Sequence, residues 1–159
     1  YDVAKGREEV EGKAAKVIEL QRIRPSFDLL GACRLQWVEI GFEFEHYPDM
    51  FEAVTGRKMT VEELYEATDR VWNLTRTRAF LEVPGFGRNS DYPPARFYEE
   101  PIPTGPGKGK MLTMAQLDFM LDDYYAQRGW DAQGRPTRAT LERLGLEKCV
   151  QDLESRGLL

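Results

Sequence analysis

One short apolar run holds the two residues of this chain that are best placed to do chemistry. In PSFDLLGACRLQW, residues 25–37, a lone aspartate, Asp28, stands five positions before a lone cysteine, Cys33. A cysteine thiolate is a soft ligand for iron or zinc. A carboxylate accepts hydrogen bonds, either from the free N–H groups at a helix start or from the N–H groups of a ligand. Because an isolated carboxylate is costly to bury without partners, Asp28 reads as a helix cap or as a ligand contact. A free cysteine is by default a small buried hydrophobe; beside Asp28 it reads equally as a thiol facing a cofactor. Gly31, between them, ends a turn or lets a backbone or flat ligand approach closely.

Few other residues compete. Cys149 lies among helical polar residues and reads as structural, and His46, the one histidine, reads as an ordinary surface or half-buried residue in spite of its acid–base range. A structural zinc or a cubane iron–sulfur cluster takes about four Cys or His ligands. With 2 cysteines, 1 histidine and no CxxC or HExxH spacing, the chain completes neither alone. GPGKGK is glycine-rich and basic but lacks the Walker spacing. The acidic runs REEVEG and YEEP read as solvated surface.

These residues must be positioned by helices. Residues 8 to 21 carry Val10, Ala14, Val17, Ile18 and Gln21 at helical spacing, and Pro25 is expected to stop that helix. Ser26 is a candidate N-cap for the segment that ends at Cys33. Residues 37 to 48, WVEIGFEFEHYP, fit a strand of period two and a helical face equally well. A short helix of about 49 to 55 is closed by Gly56. TVEE, residues 60 to 63, is a capping box that opens a long helix to about Leu81, with Val61, Leu64, Thr68, Val71 and Thr75 on one face and Tyr65 and Trp72 widening it. Residues 84–109 hold 6 of the 9 prolines and 5 of the 14 glycines. Their aromatic anchors, among them Phe86, Tyr92 and Phe97, predict an extended arm lying along a surface rather than a free linker. Thr113 then caps a helix that ends at Gly129, and two short helices follow, the last ended by Gly157. The predicted class is mainly α, a multihelical domain over 1–159 with the Pro/Gly-rich arm at 84–109.

Composition narrows the function classes. The chain has 159 residues, 42% hydrophobic and 31% charged, with a net charge of −5. That length suits one domain with a real core. No basic stripe interleaved with aromatics marks a nucleic-acid partner, and the apolar runs are too short and too often charged for a membrane span. The two cysteines do not form a disulfide scaffold, which points to a reducing, cytoplasmic compartment. YDVAKGREEVEGK is neither a signal peptide nor a start methionine, so the chain reads as a piece of something larger.

With these residues in hand, the chain resembles the C-terminal region of the tungsten-containing aldehyde ferredoxin oxidoreductase family. FDLLGAC is similar to the family's D-x-x-G-L-C motif, with Ala32 where leucine is usual. EAVTG followed by TVEELYEATDRVWNLTR resembles its N-A-V-T-G segment and the helix after it. PPARFYEEPIPTGPGKG resembles its proline-rich arm, and LDFMLDDYYAQRGWDAQGRPTRATLERLGL its closing signature. The four pieces occur in the family's order and span nearly the whole chain.

The resemblance implies an oxidoreductase that converts aldehydes to carboxylic acids and passes electrons to ferredoxin, using tungsten (or molybdenum) held by two molybdopterins and a [4Fe–4S] cluster. It implies that Asp28 binds a pterin, with Ala32 and Arg34 approaching it through backbone, and that Cys33 is one thiolate ligand of the cluster. The other cluster cysteines lie upstream in the family, so the partners implied are upstream domains of the same protein, ferredoxin and the aldehyde. No catalytic residue is expected within this chain, and the chain alone is expected to be inactive and to hold no cofactor. The other readings are a stand-alone helical interaction module, or a divergent family member acting on another substrate such as an aromatic acyl-coenzyme A.

Overall fold

The computed structural model describes residues 9–159. Among the described residues there is no strand, and one isolated antiparallel bridge joins Trp130 and Pro136. The helices are α1 (Lys13–Leu30), α2 (Leu35–Glu39), α3 (Tyr47–Thr55), α4 (Val61–Glu82), α5 (Arg96–Glu99), α6 (Met114–Arg128), α7 (Arg138–Arg143) and α8 (Glu147–Ser155). The protein is mainly α, as its periodicities predict.

The first helix departs from expectation. The expected start at residue 8 lies outside the described residues, and α1 begins at Lys13 after Gly12. Pro25 does not stop it; the helix runs on to Leu30. Proline lacks the N–H that would bond the carbonyl four residues back, here that of Gln21. The structure supplies another donor: the Trp72 indole N–H of α4 donates to the Gln21 carbonyl at 2.6 Å. The Gln21 carbonyl that Pro25 leaves without a helical donor is thus satisfied by a side chain 51 positions further along the sequence. Ser26 is correspondingly not an N-cap. It is fully buried inside α1, where its hydroxyl donates to the Arg22 carbonyl at 2.8 Å.

Residues 37–48 resolve as helix and turn. After α2 the chain reverses through Gly41, makes one helical turn at Phe44–His46 and enters α3 at Tyr47. The alternation that reads as a strand has no partner strand to pair with. Its apolar residues divide instead between an aromatic cluster and solvent: Phe44 is buried, while Val38 and Ile40 are exposed. Phe27 is the centre of that cluster, with ring centroids at 5.1 Å from Tyr47, 5.9 Å from Trp37 and 6.1 Å from Phe44.

The capping box of α4 forms as read: the Glu63 N–H donates to the Thr60 hydroxyl at 3.1 Å, and the Thr60 N–H to the Glu63 carboxylate at 2.8 Å. The buried face of α4 is more polar than its apolar spacing suggests. Leu64, Thr68, Asp69, Asn73 and Thr77 are buried, whereas Thr75 is exposed and Val71 half-buried. The helix packs on α1 and on α8, while α6 packs on α1. Where these helices meet, Asp69 accepts from Arg22 at 2.8 Å and from Arg128 at 2.8 Å. The Tyr124 hydroxyl donates to the Gln21 side chain at 2.8 Å, and the Trp130 indole to Asn73 at 2.8 Å.

A second polar knot fixes the segment between α4 and α6. Arg76 donates to the Gly134 carbonyl at 2.7 Å and pairs with Asp91, and its guanidinium lies 4.7 Å from the Phe86 ring centroid. Arg88 bonds Tyr92 at 3.1 Å and the α6 carboxylates of Asp118 and Asp122 at 3.0 and 2.6 Å. Residues 84–109 therefore hold two helical turns, at Arg88–Asp91 and α5, before a tight turn in which the Gly109 N–H donates to Ile102 at 2.8 Å. Gly134 has φ +75, and a Cβ there would come within 2.4 Å of Arg76 and 2.7 Å of Tyr125. Only glycine fits this position.

Candidate functional site

The C-terminal end of α1 presents Asp28 and Cys33 to solvent. The helix ends in an αL glycine, Gly31, whose N–H donates back to Asp28 and Phe27 carbonyls, and the Ala32 N–H donates to the Phe27 carbonyl at 2.8 Å. This turn throws Cys33 outward immediately beside the end of the helix. The buried-hydrophobe reading of Cys33 is therefore overturned: the thiol is exposed, because α1 continues to Leu30 and its end reaches the surface. Cys149 is the buried cysteine, packed with Leu141, Val150 and Leu153, and burial pushes its thiol above the ordinary range.

Asp28 does not cap a helix start either. It lies in the last turn of α1, where the helix dipole is negative and a carboxylate is unfavourable. Among the described residues no ion pair or hydrogen bond holds its side chain. Local structure gives Asp28 no partner, which leaves the surface it faces.

That surface is apolar and carries spare backbone donors. Leu29 and Leu35 are about half exposed at 48% and 58%, with Val38 and Ile40 beyond them. Ala32 is half-buried and Arg34 exposed, and the Arg34 carbonyl accepts from Trp37 at 3.1 Å and Val38 at 3.2 Å as α2 begins. The N–H groups of Cys33 and Arg34 make no backbone hydrogen bond among the described residues. A carboxylate, a thiol and two free N–H groups thus share one apolar end of the fold. Among the described residues no group of three His, Cys, Asp or Glu side chains could hold a metal. The donor types present are a thiol, which suits iron, and a carboxylate, which suits the N–H groups of a ligand. His46 is exposed, 3.8 Å from Glu43, and stands apart from any acid–base pair with Asp28 or Cys33.

Sequence reading missed one member of this region. Tyr47 is 2% exposed, and its hydroxyl is buried with no hydrogen-bond partner. Nothing in the spacing of FEHYP distinguishes it from its neighbours; only the aromatic packing places it.

The family model described as aldehyde ferredoxin oxidoreductase, domains 2 & 3, matches residues 1–146. The tungsten-containing aldehyde ferredoxin oxidoreductase of Pyrococcus horikoshii is 33% identical over 141 residues, covering 87% of this chain and 22% of that protein. That of Thermococcus kodakarensis is 33% identical over 139 residues, with the same coverages of 87% and 22%. Among solved structures, the active-site complex BamBC of benzoyl coenzyme A reductase with 1,5-dienoyl-CoA superposes with a TM-score of 0.74 at 25% identity, covering 94% of this chain and 21% of that one. The chain spans about a fifth of the length of the relatives it matches. It belongs to the aldehyde ferredoxin oxidoreductase family.

Proposed function

We propose that this chain is the C-terminal part of a tungstopterin and [4Fe–4S] oxidoreductase that oxidises an aldehyde to a carboxylic acid in a reducing cytoplasm and passes the electrons to ferredoxin. The observation that carries the proposal is that Asp28 and Cys33, both exposed and without side-chain partners among the described residues, stand at one apolar helix end. When bound, tungstopterin supplies the two-electron oxidation in which water provides the added oxygen, and the cluster moves those electrons one at a time.

The residues of this chain hold and orient. The Asp28 carboxylate accepts from pterin N–H groups, and the free N–H groups at 33 and 34 meet acceptors along the same edge. Cys33 gives one thiolate to iron. The apolar rim of Leu29 and Leu35 excludes water, which strengthens these bonds and shields the electron path. Upstream domains supply the other ligands, so the chain alone is inactive and free of metal. Family membership supports this reading over a stand-alone interaction module.

The test uses the full-length protein. Cys33→Ser loses most of its iron and sulfide because a hydroxyl is a harder and far less acidic donor than a thiol. Asp28→Asn retains the cluster and loses pterin, since an amide N–H₂ replaces one acceptor oxygen. A normal cluster signal in the low-temperature EPR of reduced Cys33→Ser overturns the proposal. The fold shared with the benzoyl coenzyme A reductase complex supports a second reading, an aromatic acyl-coenzyme A as substrate. Dye reduction by the full-length protein with aldehydes, set beside the same assay with cyclic dienoyl-CoA, separates the two.

A further inference from the structure

A cleft of about 430 Å³ opens between α1, α4, α6 and the segment that carries Phe86. Sites for small molecules run from about 300 to 1,000 Å³. Its walls are mostly apolar and aromatic, with Val17 on α1, Trp72 on α4, Met120 on α6, and Phe86 and Trp130 from the connecting chain. The three helices are tied together by Asp69, which binds Arg22 of α1 and Arg128 of α6 at 2.8 Å each, so the cleft is formed before anything enters it. Seven residues of helix, about 10 Å, separate Gln21 on this wall from Asp28. The cleft therefore lies away from the proposed cofactor end.

Most polar groups along the cleft are already committed. Arg76 is held by the Gly134 carbonyl and by Asp91, which balances its charge. The Trp72 indole donates to the Gln21 carbonyl and the Trp130 indole to Asn73. The Gln21 side chain is the exception. Its Oε1 accepts from the Tyr124 hydroxyl at 2.8 Å and from Arg128. Arginine carries donors only, so the amide atom that meets Arg128 is the oxygen and the other is the N–H₂. That Nε2 has no hydrogen-bond partner among the described residues.

We propose that this cleft binds a neutral aromatic carbonyl compound, with its ring among the aromatic walls and its oxygen accepting from Gln21 Nε2. Aromatic side chains favour a ring that meets them edge-on or offset. An apolar ligand would take water from the Gln21 amide and return no bond, whereas a carbonyl replaces the bond that is lost. A carboxylate gains little here, because Asp91 already neutralises Arg76. The site uses none of the residues assigned to pterin or cluster, and it stands or falls separately from them.

The experiment titrates the full-length protein with acetophenone and with α-methylstyrene, which has the same shape without the carbonyl, by ligand-observed saturation-transfer NMR. Two variants locate the site. Val17→Trp fills the cleft from a residue that is 43% exposed and so leaves the core alone. Gln21→Glu keeps the acceptor for Arg128 and Tyr124 and replaces the N–H₂ donor with an oxygen. The expected result is a saturable site that Val17→Trp removes and that binds acetophenone roughly fivefold more tightly than α-methylstyrene, the scale of one neutral hydrogen bond. Gln21→Glu is expected to abolish that preference and to leave α-methylstyrene binding unchanged. Equal affinity for the two compounds in the unsubstituted protein overturns the proposal, and so does a preference that survives Gln21→Glu. Absence of binding, or binding that Val17→Trp leaves intact, overturns it as well, since the cleft is then closed to small molecules by the rest of the polypeptide.

Discussion

At the scale of single residues, the decisive facts concern which side chains lack a partner. Asp28 and Cys33 are typical of neither a core nor a simple surface: a carboxylate at the wrong end of a helix dipole and a thiol in an exposed apolar rim. The two cysteines provide a direct check. Cys33 is exposed and Cys149 is 5% exposed with its thiol pushed up by burial. Thiolate is the reactive form, so a thiol-directed alkylating reagent labels Cys33 well before Cys149 in the native chain. Mass spectrometry of the peptides after a short reaction at neutral pH shows this; equal labelling of both would mean that α8 opens readily.

At the scale of elements, the family-like motifs divide into two kinds. In FDLLGAC, Phe27 is buried in the aromatic cluster while Asp28, Leu29 and Cys33 face outward. The α4 segment and the closing RGWD turn hold each other: Arg128 with Asp69, Trp130 with Asn73, Arg76 with Gly134. These side chains are committed to one another across long sequence separations. The segment between them is tied by Arg88 to Asp118, whose carboxylate is held below its usual range by the Tyr92 hydroxyl and then by Arg88. A depressed carboxylate contributes stability above its unfolded value, 3.8, and loses it as pH falls through the lower folded value. The tether therefore persists through mildly acid solution and releases only below about pH 4. Asp118→Asn weakens it at all pH values while Arg88 keeps Asp122, and hydrogen exchange at residues 88–92 speeds up severalfold while the melting temperature barely moves.

At the scale of the whole molecule, α1, α4 and α6 meet on one buried carboxylate. The Arg128 side chain is 3% exposed against Asp69 at 10%. Removing one member of such a pair leaves the other charge buried, which costs about 3–5 kcal/mol. Asp69→Ala is expected to lose that much in urea unfolding, and Asp69→Leu combined with Arg128→Met to recover a large part of it, because Arg22 is already 38% exposed and can turn to solvent. A loss below about 1 kcal/mol for Asp69→Ala, the scale of an exposed pair, would show that the junction is wet.

The sequence by itself determined the class, the family resemblance, the capping box at Thr60, the cap at Thr113, the helix ends at glycine and the interest of Asp28 and Cys33, because each of these is written in residues within a few positions of one another. Three things were decided only by tertiary structure. Pro25 stays inside α1 because a tryptophan indole 47 residues further on supplies the missing hydrogen bond. Residues 37–48 are helix and turn because no strand among the described residues lies beside them and Phe27 gathers their aromatic rings. Tyr47 gains its meaning from a cluster assembled out of α1, α3 and the turn before it. Hydrogen-bond partners and burial across long sequence separations are properties of packing, and local spacing carries no record of them.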